Sequence, residues 1–215
     1  KDIAADFGFA HVVPVSGQPL SVYVVAADPD GVATGTLYYA VNSGAWQSVA
    51  MTPQAAPGGG ATPAAAVPGQ ASGSVVQFYV EAADALSVKS VYPADGTNSR
   101  ALFAVSDGTT LQPRLHTVRI VMTPADTTYL HSSVNVMSNE RLGCTLIADE
   151  KTIAYDAGVH LQGSERGRDN SGRVGFNVRL PQGRLYRGVL DSITVDRSGG
   201  YSGRGGTHDE ILVKH

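Results

Sequence analysis

The strongest constraint on the fold is the way short alternating apolar runs are cut by turn residues through the first hundred positions. Pro19-Leu-Ser-Val-Tyr-Val-Val-Ala-Ala27 alternates Leu20, Val22 and Val24 against smaller or polar neighbours and stops at Asp28-Pro-Asp-Gly31. Thr36-Leu-Tyr-Tyr-Ala-Val41 is closed by Asn42-Ser-Gly44, and Trp46 opens a further run that ends near Met51. Val75-Val-Gln-Phe-Tyr-Val-Glu-Ala-Ala83 is the most strand-like stretch, and Arg100-Ala-Leu-Phe-Ala-Val105 closes the series. Period-two alternation with a turn signal about every 8–12 residues predicts an antiparallel β-sandwich over residues 1–107. The Ala/Gly/Pro-rich stretch from Ala55 to Pro68 is expected to be a loop with at most one edge strand.

The second half reads as a mixed, mostly antiparallel β domain over residues 110–215 with two short helices. His116–Met122 alternates as a strand, and Thr123-Pro124 supplies an N-cap and a first helical residue for a helix to about His131. Two strands flank the turn Asp149-Glu-Lys151, and the second runs on through Asp156-Ala-Gly-Val-His-Leu-Gln162. An irregular loop over 163–172 is followed by strands Val174–Leu180 and Leu190–Asp196. A second glycine-rich loop, 197–206, leads to Thr207-His-Asp-Glu210, a capping box that opens the other helix. The fold expected is therefore mainly β.

Charge is distributed unevenly, and this narrows function more than the net charge of −3 does. Residues 1–110 carry three basic against eight acidic residues, a balance of −5; residues 111–215 carry thirteen against eleven, a balance of +2. Eleven of the twelve arginines lie in that second half. A guanidinium fork suits phosphate and carboxylate, so this half is a candidate for anion binding. Arg179, Arg173, Arg166 and Arg168 are the candidate phosphate ligands. The step in charge near residue 108 marks the expected division into 1–107 and 110–215.

Period-two bookkeeping places the polar side chains. With Val159, Leu161, Phe176, Val178, Ile193 and Val195 turned to the core, one sheet face carries His160, Gln162, Asn177, Arg179 and Asp196. His160 and Asp196 on that face, with Asp209 at the start of the last helix, are the candidate catalytic groups. His160 with His208 and Asp209 is the candidate set for a divalent ion (Zn, Mn, Mg or Ca), which would support a metal-dependent phosphoester hydrolase. Asp28, Asp30, Asp84 and Asp95 stand at loop ends, where they could meet at one pole around Ca²⁺, though aspartate there serves first as a turn former. No Gly-x-Ser-x-Gly elbow is present, and the lone Cys144 reads as a small buried hydrophobe. No apolar run approaches the roughly 18 residues of a membrane helix, and nucleic acid is not an expected partner. The chain opens without a start Met or an apolar leader, and it is expected to be a mature or trimmed piece of a longer protein.

Two resemblances sharpen this reading. Leu37-Tyr-Tyr, Trp46, Met51, Pro68-Gly-Gln70 and Val76-Gln-Phe-Tyr-Val-Glu-Ala-Ala-Asp84 resemble the immunoglobulin-like or fibronectin-type modules of secreted bacterial proteins. That resemblance implies a spacer or docking module without chemistry. Gly158-Val-His-Leu-Gln-Gly-Ser164, Val174-Gly-Phe-Asn-Val-Arg-Leu180, Tyr186-Arg-Gly188, Leu190-Asp-Ser-Ile-Thr-Val-Asp196 and Asp209-Glu-Ile-Leu212 resemble the start of the spore-coat CotH kinase-like domain. This second resemblance implies the N-terminal lobe of an atypical secreted or surface bacterial kinase, with ATP as cofactor of the full-length parent. A phosphate-containing small molecule or a protein is the implied substrate. Two positions depart from the pattern: Gln162 stands where the family carries Arg, and the next strand offers Arg179, with Arg173 just before it, where the family is Lys-rich. The family's metal-binding aspartates would lie beyond residue 215, so the chain alone is expected to be an incomplete kinase lobe. A non-catalytic adhesion or scaffold role is the other reading.

Overall fold

The structure, a computed structural model, describes residues 13–24, 32–55, 61–108, 117–168 and 174–195. Those residues are mainly β, in antiparallel sheets. They pack as two units: Lys1–Thr127 with Gly143–Ala157, and Thr128–Leu142 with Gly158–His215.

The first unit holds two sheets of the predicted sandwich type. One has the order β1-β5-β4, from Leu20–Tyr23, Ala61–Val67 and Thr52–Ala55. The other has the order β3-β2-β6-β7, from Gln47–Ala50, Val32–Val41, Val75–Asp84 and Lys89–Tyr92, with β8 (Leu102–Ala104) also paired to β6. Alternation does what it should. Leu20, Val22 and Val24 face Leu37, Tyr39, Val76, Phe78, Val80 and Phe103 in one buried cluster. Removing this much apolar surface from water is the main driving force of the unit.

Strand β5 corrects the expectation of a loop at 55–68. Its alanines have poor intrinsic strand preference, but Ala64 and Ala65 are buried and small enough to let the sheet close over them. Thr62 Oγ1 donates to Val24 O at 2.6 Å, and Val24 N donates to Pro63 O at 2.9 Å. Pro53 and Pro63 sit opposite each other. Neither can donate to a ladder, and the sheet tolerates the pair because Pro53 lies on the edge strand and Pro63 faces the end of β1.

The charge step does not mark the packing. Val121 on β9 (Val118–Val121) and Ile147 on β10 (Leu142–Ala148) are buried with Leu102. Tyr155, on β11 (Thr152–Gln162), packs edge-on against Phe78 at 5.6 Å. The expected join at 107–110 thus falls inside the first unit. Charge is a surface property and need not follow the core. The β10–β11 turn puts Asp149 and Glu150 at φ 51° and 53°, the paired left-handed conformation of a tight hairpin.

Helix α1 (Pro124–Leu130) begins where predicted, with Asp126 N donating to Thr123 Oγ1 at 3.1 Å. The second expected helix, from Thr207, lies outside the described residues. Within the loop expected to be irregular, a single turn, α2 (Glu165–Arg168), forms. Cys144 is buried, as read. Asp84 Oδ1 accepts from Leu86 N and Val88 N, so it is a turn former; Asp28 and Asp30 lie outside the described residues. Among the described residues no helix is long and apolar enough to cross a membrane.

Candidate functional site

The second unit contains the polar face that the alternation placed. Strands β11, β12 (Gly175–Arg179) and β13 (Ser192–Val195) form an antiparallel meander. Its registers align Gly158 with Arg179 and Ser192, and His160 with Asn177 and Thr194. Val159, Val178 and Leu161 are buried on the opposite side. The period-two reading of this face is thus met for His160, Asn177 and Arg179.

The side chains on that face are held by one another. Asn177 Nδ2 donates to Thr194 Oγ1 at 3.0 Å. Arg141 lies across the row: Nη1 donates to Gly158 O at 3.2 Å and to Asn177 O at 3.1 Å, and Nη2 donates to Asn177 Oδ1. A Cβ at residue 158 would stand 3.0 Å from Arg141 Cβ, so glycine is what lets this arginine lie down on the strand. Sequence reasoning missed Arg141 in this role. The signal available was indirect, a glycine inside a strand pattern marking a close approach.

The four arginine candidates fare differently. Arg179 is exposed and pairs with the equally exposed Asp191 at 3.7 Å. Arg168, expected to face phosphate, is buried at the end of α2. It donates from Nε to Gly163 O (2.9 Å), from Nη1 to Ser138 O (2.9 Å) and from Nη2 to Asn139 Oδ1 (2.8 Å). This guanidinium ties the loop after β11 to the segment before β10. Arg173 and the side chain of Arg166 lie outside the described residues. Arg168→Ala should remove three charge-assisted hydrogen bonds together with the packing of a buried side chain, and destabilise the second unit by about 2–3 kcal/mol. Urea unfolding followed by near-UV circular dichroism checks it, and a loss below about 0.5 kcal/mol would contradict the clamp.

Of the catalytic and metal candidates, only His160 is described. Its Nδ1 lies 2.8 Å from Leu161 O. Asp196, His208 and Asp209 lie outside the described residues. Among the described residues no three His, Cys, Asp or Glu side chains come together to hold an ion. The residues described therefore do not make up a metal site, and no metal-borne step follows from them.

No protein-family model matches the chain, and no curated protein matches it. Among solved structures, it is similar to the cycloalternan-forming enzyme from Listeria monocytogenes in complex with a pentasaccharide substrate. The TM-score is 0.34 and the identity 8%, over 81% of this chain and 14% of that one. An uncharacterised protein from Listeria monocytogenes EGD-e, in complex with glucose, magnesium and calcium, gives a TM-score of 0.34 and 7% identity over 86% and 16%. The chain spans about a seventh of the length of these proteins, and a likeness this distant carries no activity across.

Proposed function

We propose that this chain is part of a secreted or cell-surface bacterial protein of the CotH-kinase-like type. In this reading the first unit is an immunoglobulin-like spacer or docking module. The second belongs to the β-rich lobe and has affinity for the phosphate of a nucleotide or a phosphorylated substrate. The observation that carries the reading is the β11-β12-β13 meander. Three of the five segments with the family resemblance, those of β11, β12 and β13, are neighbouring strands in register, and Arg179 stands exposed at the rim of their polar row.

Availability is what distinguishes Arg179 from Arg168. An exposed ion pair with Asp191 contributes only about 0–1 kcal/mol, so the guanidinium can exchange a carboxylate for a phosphate at little cost. Phosphoryl transfer depends on positioning and on charge stabilisation by metal ions. Thermal melts with and without millimolar ATP test the reading, since a ligand that binds only the native state raises the melting temperature. Arg179→Ala should weaken that binding by about 1.5–3 kcal/mol. No shift with ATP would sink the reading; an unchanged affinity in a folded Arg179→Ala variant would sink the role of that residue.

Among the described residues the hydrolase reading rests on His160. If Nδ1–H donates to Leu161 O, Nε2 is the nitrogen left for a ligand. Chelator-sensitive phosphoesterase turnover by the purified chain would favour it over the kinase-like reading.

A further inference from the structure

The outer face of the β3-β2-β6-β7 sheet carries aromatic rings where alternation calls for polar side chains. Tyr38 and Tyr79 are cross-strand partners whose rings stack at 4.7 Å, 7° from parallel. Trp46 meets Tyr79 at 5.1 Å and 65°, so the indole stands against the stack without joining it. We propose that this face is a glycan-binding surface, with Trp46 as its platform and a neutral polysaccharide chain as its ligand.

The register shows how the platform is built. Tyr39 pairs with Gln47, which puts Trp46 level with Ala40 on β2. The indole reaches Tyr79 on β6, the strand beyond β2, and so must cross β2 beside Ala40. That alanine is 2% exposed although it belongs to the same face as Tyr38. A small residue there leaves room for the indole to reach across the strand. Tyr79 fixes one edge of the ring, and Trp46 remains 36% exposed. The core on the other face of the sheet is complete without it. An indole held in place before binding spares a ligand the entropy of ordering it.

The surroundings select the ligand. A pyranose presents C–H groups of positive polarity, which suit the negative face of an aromatic ring. Its hydroxyls need donors and acceptors at the rim, and Ser48 stands exposed beside Tyr38. Glu81, two residues along the strand from Tyr79, is paired with Lys89 at 2.8 Å and so brings hydrogen-bonding groups with little net charge. The Tyr79 hydroxyl, whose pKa burial and then the neighbouring Tyr38 and Glu81 push further up, is a neutral phenol that can donate and accept. The balance of −5 over residues 1–110 disfavours acidic polymers and leaves a neutral chain as the fitting partner.

Trp46 is the single tryptophan, so its fluorescence reports on the site directly. The full chain would be titrated with cellohexaose, and run by affinity electrophoresis through gels containing hydroxyethylcellulose or polygalacturonate. The expected result is a saturable fluorescence change and retardation by hydroxyethylcellulose but not by polygalacturonate. Trp46→Ala should weaken the retardation by about tenfold or more, with Trp46→Phe between the two. Absence of both signals in the native chain would overturn the proposal, as would equal retardation of a folded Trp46→Ala variant. Should that variant fail to fold, acrylamide quenching of the native chain decides. Bound cellohexaose must shield Trp46, and unchanged quenching under retardation would overturn the assignment.

Discussion

Replacing Phe78 with alanine should destabilise the first unit by about 3–5 kcal/mol. The ring is 2% exposed and lies between Phe103, at 6.1 Å, and Tyr155, at 5.6 Å. Truncation removes the transfer energy of a buried aromatic side chain. It also opens a cavity that two rigid rings on different strands cannot collapse to fill. Phe78→Leu, which keeps more of the volume, should cost roughly half as much. Urea unfolding followed through Trp46, which lies in the same unit, measures both. A loss below about 1.5 kcal/mol for Phe78→Ala would mean that the two rings close the gap after all.

Asp156→Ala should cost a comparable amount, about 3–5 kcal/mol, by a different route. Asp156 sits in the middle of β11 at φ 54°, a left-handed conformation that a strand residue rarely takes. Its carboxylate accepts from Ser99 Oγ at 2.9 Å and from the backbone N of Arg100. Ser99 is 1% exposed, so the loss of this acceptor strands a buried donor, at about 1–3 kcal/mol for each group left unpaired. Alanine also lacks the short polar side chain that lets aspartate tolerate the left-handed region, which adds to the loss. Asp156→Gly separates the two contributions, because glycine takes this φ freely. It should recover about 1 kcal/mol relative to Asp156→Ala. If the two variants melt alike, the backbone conformation contributes nothing and the carboxylate accounts for the whole loss.

Much of this protein was legible because strand alternation is a local code. The run from Val75 to Ala83, the turn at Asp149, the cap at Thr123 and the polar row of His160, Asn177 and Arg179 each follow from residues a few positions apart. The site was less legible, since the duties of its arginines depend on what folds against them. Arg168 and Arg179 look alike in sequence, yet one is buried among carbonyl and amide oxygens and the other stands in water. Arg141 had no signal of its own. The glycine beneath it did, and so did Gly143, where a Cβ would come within 2.6 Å of Arg100 Cγ. Arg100 is free to lie there and reach Asp126, with Nε 2.6 Å from Oδ2.

The sequence by itself determined the β character, the positions of most turns and the faces of His160, Asn177 and Arg179, because a period of two needs no partner to be read. It also determined that the arginines gather in the second half. Tertiary structure alone decided that Ala61–Val67 is a central strand, since small residues become good strand residues only when neighbours close over them. It decided that residues 143–157 pack with the first unit, because a buried cluster such as Leu102, Val121 and Ile147 joins positions far apart in the chain. And it decided which cations are spent on the fold and which face solvent, for a hydrogen bond belongs to whichever acceptors the packed chain brings within reach of the donor.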